Sequence, residues 1–221
     1  MNMDRDTRAF LRVYLIADPD QTTGDFLPAV ERALSGGATA VQFRSKLLDD
    51  GPFLTLAQRV KSACDLHAVP FIVNDRVDVA LALGADGVHV GVDDLPIPAV
   101  RGVIGVQAII GYSPASEDQT AAAKSLGADY VGLGPVFSTG SKDDAGEAIG
   151  LDAVRRRASL AQLPIVGIGG IDADNAPDVI AAGADGVAVI SAILRSENPR
   201  SSAAGLLGAV DRALERRAGG G

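Results

Sequence analysis

Short apolar runs and longer amphipathic stretches alternate along this chain at regular intervals. Compact strand-like runs stand at VYLIA (13–17), FIV (71–73), AII (108–110) and PIVGI (164–168). Brief aliphatic runs of this kind suit strands buried on both faces. Between them recur four similar segments: GATAV at 37–41, GADGV at 84–88, GADYV at 127–131 and GADGV at 183–187. Their leading glycines lie 47, 43 and 56 residues apart. Each follows an Ala/Leu-rich helical pattern and opens into another apolar run. That is the signature of a helix ended by a left-handed glycine, then a strand. The repeats therefore mark the even-numbered strands. Helices are predicted near 25–35, 52–68, 76–83, 95–101, 116–126, 150–160, 174–182 and 203–217.

Regular βα alternation calls for parallel strands joined by crossover helices. Eight units within about 210 residues predict an α/β fold, a small closed (β/α)8 barrel. An open doubly wound sheet is the competing arrangement. It would want a Gly-rich turn after the first strand, where this chain reads ADPDQ. One domain is expected over 1–221, with residues 1–10 and 217–221 frayed.

Composition narrows the picture. Hydrophobic residues make up 47% of the 221 but aromatics only 4%, with no Trp, so an aliphatic core is expected. The formal net charge of −8, with no basic stripe, argues against nucleic acid as a partner. It leaves phosphorylated metabolites open, since an anion site needs only local cations and backbone amides. Cys64 is the only cysteine, so no internal disulfide can form. The opening MNMDRDTRAFLRV has no apolar signal core. The longest apolar region, around 97–111, is broken by Arg101 and Gln107 and is too short to span a bilayer. A soluble, cytoplasmic protein without a membrane partner is expected.

In such a barrel, chemistry gathers at the C-terminal ends of the strands. The second strand exits through VQFRSK, residues 41–46. Alternation puts Gln42, Arg44 and Lys46 on one face, toward the mouth, and Val41 and Phe43 on the other, toward the helices. Two cations and an amide converging there suit an anion; the plainer reading has Arg44 and Lys46 leaving the sheet for solvent. The third strand delivers Asn74 and Asp75, and the fourth His89, Asp93 and Asp94. Asp75 and Asp94 suit Mg2+, which binds through one or two carboxylates plus substrate phosphates. The alternatives are an Asp75–Arg76 ion pair and Asp94 as a helix cap. His89, inside a strand, reads as a satisfied structural histidine.

Ser113 follows the fifth strand and is placed to touch a ligand, whereas Ser116 with Gln119 reads as a capping box. GPVFSTGSK at 134–142 offers small residues, hydroxyls and a lysine near phosphate. The seventh and eighth strands end in GIGGID and VISAIL. Gly169, Gly170, Ile190 and Ser191 stand where this fold usually holds a phosphate, or serve only close packing. Two anion-handling regions in one mouth suit two phosphorylated substrates side by side.

These stretches together resemble the thiamine-phosphate synthase (thiamine-phosphate pyrophosphorylase) family from VYLIAD to VISAIL. The carrying motifs are VQFRSK, FIVNDRVDVALALGADGVHVGVDDLP, IIGYS, GADYVGLGPVFSTGSK, PIVGIGGID and AGADGVAVIS. The resemblance implies a (β/α)8 transferase. It joins 4-amino-5-hydroxymethyl-2-methylpyrimidine diphosphate to a thiazole phosphate, giving thiamine monophosphate and pyrophosphate. It implies that Gln42, Arg44 and Lys46 hold the diphosphate, Asn74 contacts the pyrimidine side, and Asp75 and Asp94 bind Mg2+. Ser113 would touch the pyrimidine or its diphosphate. Thr139 and Ser141 would contact the thiazole, and Lys142 the departing diphosphate. Gly170, Ile190 and Ser191 would hold the thiazole phosphate.

Two departures stand out. The family's Gln-Leu-Arg-Glu-Lys has Ser at position 45 here, which is expected to cost a supporting salt bridge and loosen Arg44 or Lys46. The family's Thr-x-Thr-Lys reads Thr139-Gly140-Ser141-Lys142, keeping the hydroxyl and adding a flexible glycine. The rival readings are a thiazole tautomerase of the same fold, which needs no diphosphate site, and an inactive metabolite-binding barrel.

Overall fold

The computed structural model describes residues 7–140 and 146–219. Eight parallel strands close into one barrel in sequence order. They are β1 (Val13–Ala17), β2 (Ala40–Phe43), β3 (Phe71–Asn74), β4 (Gly87–Val90), β5 (Ile109–Tyr112), β6 (Tyr130–Leu133), β7 (Ile165–Ile168) and β8 (Gly186–Val189). β1 pairs with both β2 and β8, which removes every sheet edge.

In chain order the helices are α1 (Thr7–Phe10), α2 (Phe26–Ser35), α3 (Asp50–His67), α4 (Val77–Leu83), α5 (Ile97–Ile104), α6 (Glu117–Leu126), α7 (Gly150–Leu160), α8 (Ala176–Ala181), α9 (Ser191–Leu194) and α10 (Pro199–Gly219). The eight expected helices are present, and α10 starts four residues before the expected 203. The pattern missed α1 and a 3-10 turn at Pro19–Gln21, both too short to show a period, while α9 is the helical turn into which the eighth strand leads. Residues 7–10, expected to fray, are a helical turn, and α10 continues through Gly219. No helix among the described residues is long and apolar enough to cross a membrane.

Helices form where apolar residues recur on one face. α3 buries Phe53, Ala57, Val60, Ala63 and Cys64, a 3–4 residue spacing turned toward the barrel. The outward face of β2 meets this layer: the Phe43 ring packs edge-on against Phe53 at 4.7 Å and tilts against Phe26 at 6.2 Å. The core is not purely aliphatic. Tyr14, Tyr130, Phe43 and Phe71 lead its largest fully buried side chains. Phe43 and Phe71 sit between sheet and helices, while Tyr14 and Tyr130 fill the barrel itself.

The fourfold repeat has a structural cause at the bottom of the barrel. Gly37, Gly84, Gly127 and Gly183 all have positive φ, from 58° to 112°, where a side chain would be strained. Two residues later, each repeat places an oxygen that clasps an odd strand. The Thr39 hydroxyl accepts the Val13 N–H at 2.9 Å. The Asp86, Asp129 and Asp185 carboxylates accept from Phe71 (3.0 Å), Ile110 (2.7 Å) and Ile165 (3.0 Å). The backbone N–H of each clasping residue returns a bond to the carbonyl of the residue it holds, at 2.7–2.9 Å. The sequence pattern contained this position but not its partner.

Candidate active site

Polar side chains concentrate at the opposite, C-terminal end. Inward parity along β2 carries Gln42 and Arg44, and then Lys46, into one cavity of about 220 Å³. Asn74, Asp75, His89, Asp94 and Ser113 line the same cavity. A second cavity of about 240 Å³ adjoins it, lined by Ser113, Thr139, Gly169, Gly170, Ile190 and Ser191. Ser113, Gly132, Ile168 and Ala188 belong to both walls. The residues expected to handle anions thus line two neighbouring chambers with Ser113 at their junction. Ser141 and Lys142 lie outside the described residues.

Arg44 does not run to solvent. Its guanidinium donates to Asp18 Oδ2 at 2.6 Å, with the two side chains 9% and 1% exposed. Asp18 directly follows β1, in inward register with Tyr14 and Ile16, and sequence reading passed over it. Burial pushes the Asp18 carboxyl above its ordinary value, against the pull of Arg44. Holding Arg44 therefore carries a desolvation cost, as expected for a charge kept in place for a ligand.

Ser45 faces away from the cavity, as strand alternation requires. Its hydroxyl donates to Asp20 Oδ2 at 2.9 Å and accepts the Leu47 and Leu48 N–H groups at 3.2 and 3.1 Å. The same Asp20 oxygen accepts the Lys46 N–H at 3.1 Å. A hydroxyl–carboxylate tie to the 3-10 turn thus stands at the position where the family pattern has Glu. Asp20 is a second residue that sequence reading missed.

Asp75 and Asp94 meet across the mouth within hydrogen-bonding reach. Withdrawal from bulk water, and then the facing Asp94 carboxylate, push the Asp75 carboxyl up to about 6. Asn74 donates to Asp75 Oδ2 at 2.5 Å, and Asp94 Oδ2 accepts the Gly91 N–H at 2.7 Å. Asp75 holds a positive φ of 59°, an uncommon backbone state for a residue with a side chain.

Neither alternative role holds. Arg76 pairs with Asp50 and Asp78 instead of Asp75. The α5 cap position is Pro96, with no side-chain cap from Asp94. Two crowded carboxylates, one of them biased toward its protonated form, are a donor set that a divalent cation would relieve. Among the described residues no group of three or more His, Cys, Asp or Glu side chains could hold a metal. The pair therefore suits an ion that takes its remaining ligands from substrate and water.

The second chamber is built from close backbone approach. Gly169 and Gly170 have φ of 98° and 64°. A Cβ on Gly170 would stand 2.7 Å from the Ser138 carbonyl oxygen, and one on Gly169 would stand 2.6 Å from Pro135 Cβ. Phe137 N–H bonds the Gly169 carbonyl at 3.1 Å, docking the loop after β6 onto the end of β7. The glycines thus serve packing and wall the cavity at once. α9 begins at Ser191 on the cavity wall, and a helix's first turn presents N–H groups beyond its own ladder.

Ser116 caps α6 as expected, accepting the Gln119 N–H at 3.2 Å. Gln119 reaches one residue further back than a capping box requires, to the Ala115 N–H at 2.7 Å. His89 is satisfied at both ring nitrogens, by Tyr130 and Ser113, while lining the first cavity.

A sequence model described as thiamine monophosphate synthase matches residues 13–193. The thiamine-phosphate synthase of Desulfitobacterium hafniense is 50% identical over 183 residues, covering 83% of this chain and 88% of that one. The thiamine-phosphate synthase of Moorella thermoacetica is 46% identical over 187 residues, covering 85% and 89%. The solved thiamine phosphate pyrophosphorylase of Pyrococcus furiosus superposes with a TM-score of 0.85 at 38% identity, over 94% of this chain and 98% of that one. The matched span begins at β1 and closes within α9, enclosing every strand exit described above. The chain belongs to the thiamine monophosphate synthase family.

Proposed function

We propose that the two chambers bind the two substrates of the family reaction: 4-amino-5-hydroxymethyl-2-methylpyrimidine diphosphate in the first and a thiazole phosphate in the second. The products are thiamine monophosphate and pyrophosphate. The observation that carries this reading is the shared wall at Ser113, which sets a cationic, carboxylate-lined chamber beside a glycine-walled one. A lone thiazole-phosphate enzyme would have no use for the first chamber.

In this reading Arg44, Lys46 and Gln42 grip the diphosphate, and Asp18 holds Arg44 at the angle for it. Asn74 contacts the pyrimidine side, and Ser113 touches the pyrimidine or its diphosphate. Thr139 and Ser141 contact the thiazole. Gly170, Ile190 and Ser191 hold its phosphate through backbone amides. Asp75 and Asp94 would hold Mg2+, which when bound supplies positive charge beside the departing diphosphate.

The pyrimidine carbon loses pyrophosphate, and the amino-substituted ring spreads the positive charge. The thiazole nitrogen then forms the new bond. Arg44, Lys46 and Lys142 stabilise the charge gathering on the leaving group. The second chamber supplies orientation and keeps water from the cation.

The test mixes purified protein with both substrates and Mg2+, with a chelator control, and quantifies thiamine monophosphate by fluorescence after oxidation. Product only in the metal-containing sample is expected. Folded protein that forms none would overturn the assignment.

A further inference from the structure

Five side chains form one unbroken hydrogen-bonded chain through the barrel. Gln42 Nε2 donates to the Tyr14 hydroxyl at 3.1 Å. Tyr14 and Tyr130 hydroxyls meet at 2.8 Å. Tyr130 meets His89 Nδ1 at 2.9 Å, and His89 Nε2 meets Ser113 Oγ at 2.8 Å. The chain thus begins at the diphosphate grip and ends at the junction of the two chambers.

Its direction follows from proton counting. An amide NH2 group can only donate, so Tyr14 accepts from Gln42. The Tyr14 oxygen could accept a second hydrogen, but its own buried proton then needs an acceptor, and the Tyr130 oxygen is the one it meets; the proton of Tyr130 goes on to His89 Nδ1. Burial pushes both tyrosine hydroxyls well above their ordinary value, so each keeps its proton. A neutral imidazole that accepts at Nδ1 carries its hydrogen on Nε2 and donates it to Ser113. Ser113 accepts, and its own hydrogen points onward.

The room for this chain is built into the strands. A Cβ on Gly111 of β5 would stand 2.3 Å from His89 Nδ1 and 2.2 Å from the Tyr130 ring. One on Gly132 of β6 would press on His89 Cε1 at 3.3 Å and Ser113 Oγ at 3.5 Å. Two inward-facing glycines therefore clear the space that the His89 ring occupies.

We propose that Tyr14, Tyr130 and His89 are positioning residues: a one-way relay, polarised by Gln42, that makes Ser113 a fixed hydrogen-bond donor to the ligand in the mouth. A donor there suits an acceptor that gains negative charge, such as a leaving diphosphate oxygen. This assignment of the acceptor rests on the function proposed above; the polarity of the relay does not. Tyr14 and Tyr130 act only through Ser113, since the hydroxyls of both are engaged within the relay.

Two measurements test it. The chain has only two histidines, so nitrogen-15 NMR with long-range proton correlation reads the His89 tautomer directly, with exposed His67→Gln as the assignment control. The Nε2–H tautomer is expected in the ligand-free protein; the Nδ1–H tautomer would reverse the relay and overturn the proposal. This readout needs no substrate, so it stands apart from the success or failure of thiamine phosphate synthesis.

The second measurement is a kinetic cycle. Tyr130→Phe should lower kcat about tenfold with KM held within about twofold. In a Ser113→Ala background the same substitution should cost nothing further. An equal loss in both backgrounds would show that Tyr130 acts independently of Ser113 and would sink the relay. Tyr14→Phe repeats the cycle one link further out, should Tyr130→Phe fail to fold.

Discussion

Carboxylates do opposite work at the two ends of this barrel. At the bottom, Asp86, Asp129 and Asp185 each accept a strand N–H, and Asp129 and Asp185 also pair with Arg101 and Arg217. Their charge is spent on backbone groups and cations already in place. At the top, Asp75 faces another carboxylate, in a positive-φ backbone, with its protonated form favoured up to about pH 6. The bottom is satisfied and repeated; the mouth is unrepeated and electrostatically tense. A carboxylate that lowers the folded state's energy belongs to the scaffold, and one that raises it is held there for a ligand.

The largest effect should come from breaking the tense end. Asp75→Ala should lower Mg2+-dependent turnover about 10²–10³-fold, with a melting temperature in metal-free buffer equal to or above that of the parent. A full-rate variant would remove Asp75 from the metal site. Asp18→Asn comes next, because it leaves the Arg44 guanidinium buried beside a neutral partner. A raised KM for the pyrimidine diphosphate is expected, with little loss of stability, because burial already holds the Asp18 carboxyl above its ordinary value. An unchanged KM would mean that Arg44 is held by something else.

Breaking the satisfied end should separate stability from chemistry. Asp185→Ala strands the Ile165 N–H and removes the carboxylate partner of Arg217, whose guanidinium keeps the Ile180 and Ala184 carbonyls. The expected cost is about 2 kcal/mol, or roughly 4–8 °C in melting temperature, with kcat per folded molecule within about twofold. A selective loss of kcat would break the division between the two ends.

The smallest effect sharpens the contrast by pH. The folded-state value for Asp75 lies above its ordinary one, so the favourable protonated form is fully present near pH 4 and is lost as pH rises through about 6. Relative to Asp75→Asn, the metal-free protein should therefore lose about 1–3 °C of melting temperature between those values, a small figure because the mouth is open to solvent. Added Mg2+ should restore it above pH 6. A flat difference curve would show that neither burial nor the facing Asp94 raises the Asp75 carboxyl.

Gly170→Val would not probe phosphate binding alone. Its φ of 64° and the Ser138 oxygen 2.7 Å from a built Cβ mean that the variant would disturb the loop after β6 as well as phosphate binding. Substitutions at Ser113 or Asp75 leave that packing alone.

Periodicity by itself determined a good deal of this protein. Glycine spacing and alternation located eight strands, eight helices, the barrel and the inward parity of Gln42, Arg44 and Lys46. These follow from local rules: a left-handed cap needs glycine, and side chains on a strand alternate. The resemblance carried by the strand exits named the family. What local rules could not reach were pairings across the barrel. Asp18 lies 26 residues from Arg44, and Tyr14 lies 116 from Tyr130. Asp18 read as part of a loop and the tyrosines as ordinary strand residues. Closure of the sheet brings β1 beside β2 and across from β6. It thereby decides which carboxylates meet a cation, which meet each other, and which hydroxyls hand a hydrogen bond to the next.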